Sequence, residues 1–277
     1  MALQIGKLAK RSATTLCGAL LILGMVLYLP KPVFHVALAG FGVVGAMEFK
    51  AIAQGFDVKL LIVPVVITVI YGIASLYVPQ LNIHWLPFLV VALTCLCTLA
   101  PPHTVTSALP SLGITLAASA YLGFSLIGLS YIFALGTEGN DHRGRLLVLF
   151  CFFVVWMGDS AAYFFGSIFG KHKIAKVISP NKSLEGAIAN LAGNAVALWL
   201  GQITFFPNLT GITIGALTLV FFVFGLFGDL VESSWKRGSD IKDSGQIFPG
   251  HGGVLDRVDS IFLTAPVFYI TVVHAGI

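Results

Sequence analysis

Apolar runs close to the length of a membrane-crossing helix follow one another along almost the whole chain. A spanning helix needs roughly 20 predominantly apolar residues, within a range of about 17 to 25. Because a bilayer offers bare backbone groups no hydrogen-bond partner, such runs have to be helical. Nine spans are predicted: Ala13 to Leu29, Pro32 to Phe49, Val58 to Val78, His84 to Ala100, Ala108 to Leu135, Leu146 to Phe169, Leu184 to Phe206, Gly211 to Trp235 and Val258 to Ala275. The fifth is overlong and carries Pro110 near its start, which predicts a tilt or a kink. The expected fold class is therefore all-α, a polytopic integral membrane protein. Composition agrees, with 10% charged residues where soluble proteins average roughly 25%. No Ser/Pro/Gly-rich linker divides the 277 residues. One membrane domain over 1–277 is expected, with the N-terminal spans in 1–145 and the later spans and their polar loops in 146–277.

The basic start, Lys7, Lys10 and Arg11, ahead of the first run resembles a secretory signal. No small-residue cleavage site follows, so an uncleaved first span is expected. Cys17, Cys95, Cys97 and Cys151 all sit inside apolar runs and read as small buried apolar residues, not as a disulfide framework or a zinc site. GxxxG spacings at Gly166/Gly170 and Gly211/Gly215 predict close helix packing and nothing more specific.

Cytoplasmic loops carry excess Lys and Arg, which makes orientation countable. With the N-terminus inside, the inner side receives Lys7, Lys10, Arg11, Lys50, Lys59, Lys171, Lys173, Lys176, Lys182, Lys236, Arg237, Lys242 and Arg257. The outer side receives only Lys31, Arg143 and Arg145. Both long basic loops, Gly170 to Ser183 and Lys236 to Arg257, then face the cytoplasm.

Six of the twelve acidic residues, Asp229, Glu232, Asp240, Asp243, Asp256 and Asp259, fall between positions 229 and 259. In an apolar protein such clustering is costly unless metal ions, basic groups or water compensate it. Lys236, Arg237, Lys242 and Arg257 share the stretch, so a purely structural salt network is the plain alternative. Spacing argues for more. Asp229 and Glu232 are three apart at the end of the eighth span, and Asp256 and Asp259 three apart at the start of the ninth, so each pair lies on one helical face. Mg²⁺ takes a few carboxylate oxygens and leaves its other positions to water and phosphate, which suits a metal-assisted phosphoryl or nucleotidyl transfer. Asp259 at a helix start could equally be a cap.

Between the pairs, Gly250-His251-Gly252-Gly253 places three glycines in four positions, where backbone N–H groups could approach a phosphate closely. An ordinary turn is the alternative, and a lone interfacial His251 is as readily structural as a phosphate donor or acid. There is no GxxxxGK[ST] loop and no Rossmann fingerprint. Asp159 lies near the middle of the sixth span, where an ionisable group is a functional hypothesis by default; a buried pair with Lys or Arg is the alternative. The following basic loop, with Lys182, either signals topology alone or gathers anionic headgroups.

The run Ser233-Ser234-Trp235-Lys236-Arg237, then four residues, then Lys242-Asp243-Ser244-Gly245-Gln246-Ile247-Phe248-Pro249-Gly250-His251-Gly252-Gly253-Val254-Leu255-Asp256-Arg257-Val258-Asp259 resembles the signature of phosphatidate cytidylyltransferases, or CDP-diacylglycerol synthases. It spans 27 positions with fixed spacing. It departs from the family at Trp235, where a smaller aliphatic residue or Phe is usual. Gly228-Asp229-Leu230-Val231-Glu232-Ser233 resembles the family as well. Gly158-Asp159-Ser160-Ala161-Ala162-Tyr163 and Ser179-Pro180-Asn181-Lys182-Ser183-Leu184-Glu185-Gly186 are partial matches, in which Asp159, Lys182 and Glu185 survive as family positions.

The resemblance implies that CTP and phosphatidic acid give CDP-diacylglycerol and pyrophosphate, with Mg²⁺ and K⁺ as a companion ion. Asp229 and Asp256 match the acidic positions around the metal centre, and Asp159, Glu232 and Asp259 are further candidates. Asp243 and the cations Lys242 and Arg257 are expected beside the chemistry. Lys182, Glu185, Lys236, Arg237, Gly250, His251, Gly252 and Gly253 are expected to bind substrate. The expected partners are CTP, phosphatidate and the bilayer, with a homodimer left open and no nucleic acid. The expected address is a bacterial plasma membrane, because the chain is compact and lacks a transit segment. Competing readings are an isoprenoid-alcohol kinase or CDP-archaeol-type synthase, and an ion-coupled transporter.

Overall fold

The computed structural model describes residues 18–99, 105–136, 142–245 and 252–275. Among them all regular structure is helical, apart from one isolated bridge between Lys173 and Ser183. The chain forms two compact units, Met1–Leu126 with Gly238–Val258, and Ile127–Arg237 with Asp259–Ile277.

The first unit holds α1 (Gly18–Tyr28), α2 (Lys31–Gly55), α3 (Ile62–Ala74), α4 (Leu86–Leu99), α5 (Val105–Ala118) and the start of α6 (Phe124–Ala134). Pro32 sits in the first turn of α2, where its missing N–H costs nothing. After α2, Phe56 and Val58 return their amides to the Ala53 carbonyl while Asp57 adopts φ 54°, a left-handed turn that Asp tolerates better than most residues. Phe49, Ile52, Val65, Leu122 and Leu255 are fully buried in this unit. The overlong fifth run continues helically through Pro110. Its irregularity is a π-turn at Ser119–Gly123, a single-turn widening of the helix, where Gly123 packs against Thr68.

The second unit holds the rest of α6, α7 (His142–Phe169), α8 (Leu184–Thr204), most of α9 (Gly211–Gly238), the end of α10 (Leu255–Phe262) and α11 (Thr264–Ala275). Helices α7 and α8 meet through small residues. A Cβ on Gly193 would lie 2.9 Å from Ala161, and one on Gly166 would lie 3.3 Å from Gly186. Gly166/Gly170 therefore packs closely as its spacing suggests, whereas Cβ atoms on Gly211 or Gly215 would meet nothing within 4 Å. The last apolar run is not one helix: it divides between Phe262 and Thr264.

Each of the nine apolar runs contains helix. Among the described residues, four helices are long and apolar enough to cross a bilayer: Lys31–Gly55, Thr106–Ala134, His142–Phe169 and Gly211–Gly238. Large apolar side chains such as Tyr163, Phe164, Ile168, Ile212 and Phe227 stand exposed on two of them, the surface expected of a protein solvated by lipid.

Candidate active site

Acidic side chains gather in each unit, and the two groups are built differently. In the second unit, the third turn from the end of α9 brings in Asp229, followed one turn on by Glu232 and Ser233 and then by Lys236. Asp229 pairs with Lys182 at 2.7 Å and accepts a 3.1 Å hydrogen bond from Ser233 Oγ. Glu232 is fully buried and pairs with Lys236 at 2.9 Å. Asp159 on α7 accepts from Asn190 Nδ2 at 3.2 Å, and it feels the charges of Asp229 and Lys182. Asp259 lies within electrostatic reach of Asp229, Glu232 and Asp159, and takes the Ser260 amide at 2.7 Å. Four carboxylates thus share one region with two lysines.

Lys182 reaches Asp229 from a folded loop. Leu184 donates its amide to the His172 carbonyl at 2.8 Å, and Ile174 donates to the Lys182 carbonyl at 3.2 Å. Ser183 caps α8 by accepting the Gly186 amide, the usual role of serine at that position. Glu185, in the first turn of α8, accepts the Lys171 amide at 3.1 Å and His172 Nδ1 at 2.6 Å. Its side chain therefore holds the two ends of the basic loop together.

In the first unit, Asp256 turns one oxygen, Oδ2, to the Ser244 amide, the Ser244 hydroxyl and the Gly253 amide, each at 2.8 Å. Glu48, buried on α2, accepts the Val254 amide at 2.8 Å, the Leu255 amide at 2.9 Å and the Ser244 hydroxyl at 3.0 Å. Gly252 has φ +81° and lies against Asp256, a backbone state that a side chain would strain. The amides of Gly253, Val254 and Leu255 are thus engaged by the protein's own carboxylates. Helix α10 begins at Leu255, so Asp259 lies inside it and is not an N-cap.

Of the residues expected from the sequence, Asp159, Lys182, Asp229, Glu232, Lys236 and Asp259 come together in the second unit. Asp256, Gly252 and Gly253 come together in the first. Lys242, Asp243, Arg237 and Arg257 are exposed, while Gly250 and His251 lie outside the described residues. Sequence reasoning missed Glu48, Ser244, Asn190 and Ser260. Glu48 carried the same signal as Asp159, an acidic residue inside an apolar run, but its adjacency to Lys50 at the end of that run disguised it.

No three of His, Cys, Asp and Glu form a ready metal-ligand set among the described residues. The donors present are hard carboxylate and hydroxyl oxygens, which suit Mg²⁺ and not a thiolate-seeking metal. Mg²⁺ is ordinarily held by one or two carboxylates, with water and substrate phosphate completing its shell, so this donor set fits it without a third protein ligand.

A model of the cytidylyltransferase family matches residues 9–275, and the chain belongs to that family. Among curated relatives, the phosphatidate cytidylyltransferase of Staphylococcus saprophyticus is 35% identical over 222 residues, covering 78% of this chain and 82% of its own. The phosphatidate cytidylyltransferase of Staphylococcus haemolyticus is 40% identical over 157 residues, 56% of each chain. That of Staphylococcus aureus strain COL is 39% identical over 160 residues, 57% of this chain and 60% of its own.

Proposed function

We propose that this chain is a phosphatidate cytidylyltransferase, which transfers the cytidylyl group of CTP to phosphatidate and releases pyrophosphate. The observation that carries this reading is the family match over nearly the whole chain, joined to relatives that bear that name. A phosphatidate oxygen forms a bond to the α-phosphorus of CTP, and the bond from that phosphorus to the bridging oxygen breaks. The electron pair leaves with pyrophosphate. The nucleophile is already anionic, so alignment and charge neutralisation matter more than a general base.

In the second unit, one or two of Asp159, Asp229 and Asp259 would hold Mg²⁺, while Glu232 is engaged by Lys236. In the first unit, Asp256 is the candidate. The chemistry bound Mg²⁺ supplies is neutralisation of charge on phosphoryl oxygens, and K⁺ is its proposed companion. Lys182, held by Asp229, would offset charge on a substrate phosphate. The exposed Lys242, Arg257 and Arg237 offset nucleotide and lipid charge. Lys236 has the narrower task of neutralising buried Glu232, and Glu185 shapes the loop that presents Lys182.

All nine helical runs are proposed to span, with the N-terminus and both basic loops on the cytoplasmic side of a bacterial plasma membrane. The distribution of Lys and Arg supports this orientation, and it faces the loops toward the compartment that supplies CTP. The test is substrate choice. Purified protein in detergent, given CTP and Mg²⁺, is expected to convert phosphatidate in preference to a polyprenol or an archaeal-type ether-lipid acceptor. Preference for either of the other lipids would overturn the assignment.

A further inference from the structure

Glu48 is an acidic side chain in a helix long and apolar enough to span a membrane, only 6% exposed. Its described partners are all neutral donors: the Ser244 hydroxyl and the amides of Val254 and Leu255. Those amides open α10, where the helix dipole also favours an anion. The partners lie 196 to 207 positions away in sequence, so the carboxylate joins α2 to both sides of the polar segment. The fit is close on both sides. A Cβ on Gly245 would stand 2.7 Å from Glu48 Oε1, and a Cβ on Gly253 would collide with the same carboxylate.

Ser244 connects Glu48 to the proposed chemistry. Its Oγ lies 3.0 Å from Glu48 Oε2 and 2.8 Å from Asp256 Oδ2, yet a serine hydroxyl carries one proton. The two carboxylates therefore compete for one donor, and the position of each is felt by the other. Without Glu48 the Ser244 hydroxyl would turn wholly to Asp256, and two amides at the start of α10 would lose their acceptor, a costly change for buried backbone.

We propose that Glu48 is a positioning residue for cytidylyl transfer: from α2 it fixes Ser244 and the first turn of α10, and through them the direction in which Asp256 points. It touches no substrate. The inference rests on the function proposed above. It is tested with full-length protein in detergent carrying Glu48→Gln, which keeps the size of the side chain and removes its charge and one acceptor.

The expected result is a kcat lowered by about 100-fold, the scale of a small misplacement at a reacting centre, with KM for CTP and for phosphatidate unchanged. Amide hydrogen exchange is expected to accelerate in peptides covering 252–258 and to stay as in the wild type elsewhere. An unchanged kcat, unchanged exchange at 252–258, or acceleration spread evenly over the molecule would each overturn the proposal. If Glu48→Gln does not yield folded protein, Glu48→Asp, which keeps the charge but draws the carboxylate back by one methylene from Ser244, Val254 and Leu255, is read the same way, with the same local exchange and kcat loss expected. A wild-type protein that transfers no cytidylyl group would refute the proposed function instead, while the exchange arm would still show whether Glu48 holds the start of α10.

Discussion

The two groups of carboxylates differ in what holds them. In the first unit, Glu48 and Asp256 are held by amides and a hydroxyl. In the second, Asp229 and Glu232 are held by the ammonium groups of Lys182 and Lys236. Backbone amides cannot leave, so the first arrangement fixes geometry. A lysine on a flexible stem can exchange its carboxylate for a phosphate, so the second arrangement can rearrange where the first cannot. Burial grades this within the second unit, since the Lys236–Glu232 pair is sealed while Lys182 and Asp229 remain partly open.

The sealed pair gives the largest expected effect. Lys236→Met leaves Glu232 buried without its cation, which should destabilise the protein by about 3–5 kcal/mol, read as a shift in denaturant unfolding in detergent. Glu232→Gln combined with Lys236→Met should recover most of that loss. Failure to recover would mean that Lys236 serves something other than Glu232.

Next in size is Asp229→Asn, expected to lower kcat by on the order of 10²–10³-fold, as losing a charge-stabilising group does, with unfolding little changed. An active Asp229→Asn enzyme would remove the open half of the contrast. Glu185→Gln should cost roughly tenfold in activity, at the low end for a residue that orients another, because it loosens the loop that carries Lys182. Faster proteolysis within 170–183 would accompany it, and an unchanged digestion pattern would sever Glu185 from the loop.

The smallest effects separate glycines that pack from glycines that do not. Gly193→Ala, against Ala161 and the Met157 carbonyl at 2.9 Å, should cost about 1–3 kcal/mol. Gly215→Ala, which meets nothing within 4 Å, should stay within about 0.5 kcal/mol of the wild type.

Hydropathy located the helices but not their ends, because it reads the thickness of the apolar layer and not the length of the helix. Helix α2 continues past Phe49 through Lys50 and Gln54 to Gly55, and α9 runs past Trp235 to Gly238. At the π-turn of Ser119–Gly123, Gly123 lies close against Thr68 on another helix, a contact with no local signature. Asp159, Asp229 and Asp259 were legible because charge in an apolar setting is conspicuous. The pairing of Lys236 with Glu232 is legible too, from the four-residue spacing that brings helix neighbours together. The partnership of Glu48 with Ser244, Val254 and Leu255 was not, since it joins positions about 200 residues apart.

The central claim is tested most directly by following two labels at once. Purified protein is incubated with phosphatidate, Mg²⁺ and CTP labelled either at the α-phosphorus or at the γ-phosphorus. Cytidylyl transfer predicts that the α label enters the lipid phase while the γ label appears only in pyrophosphate, in equal amounts. A γ label in the lipid, or CTP consumed with neither label in lipid, would contradict the account.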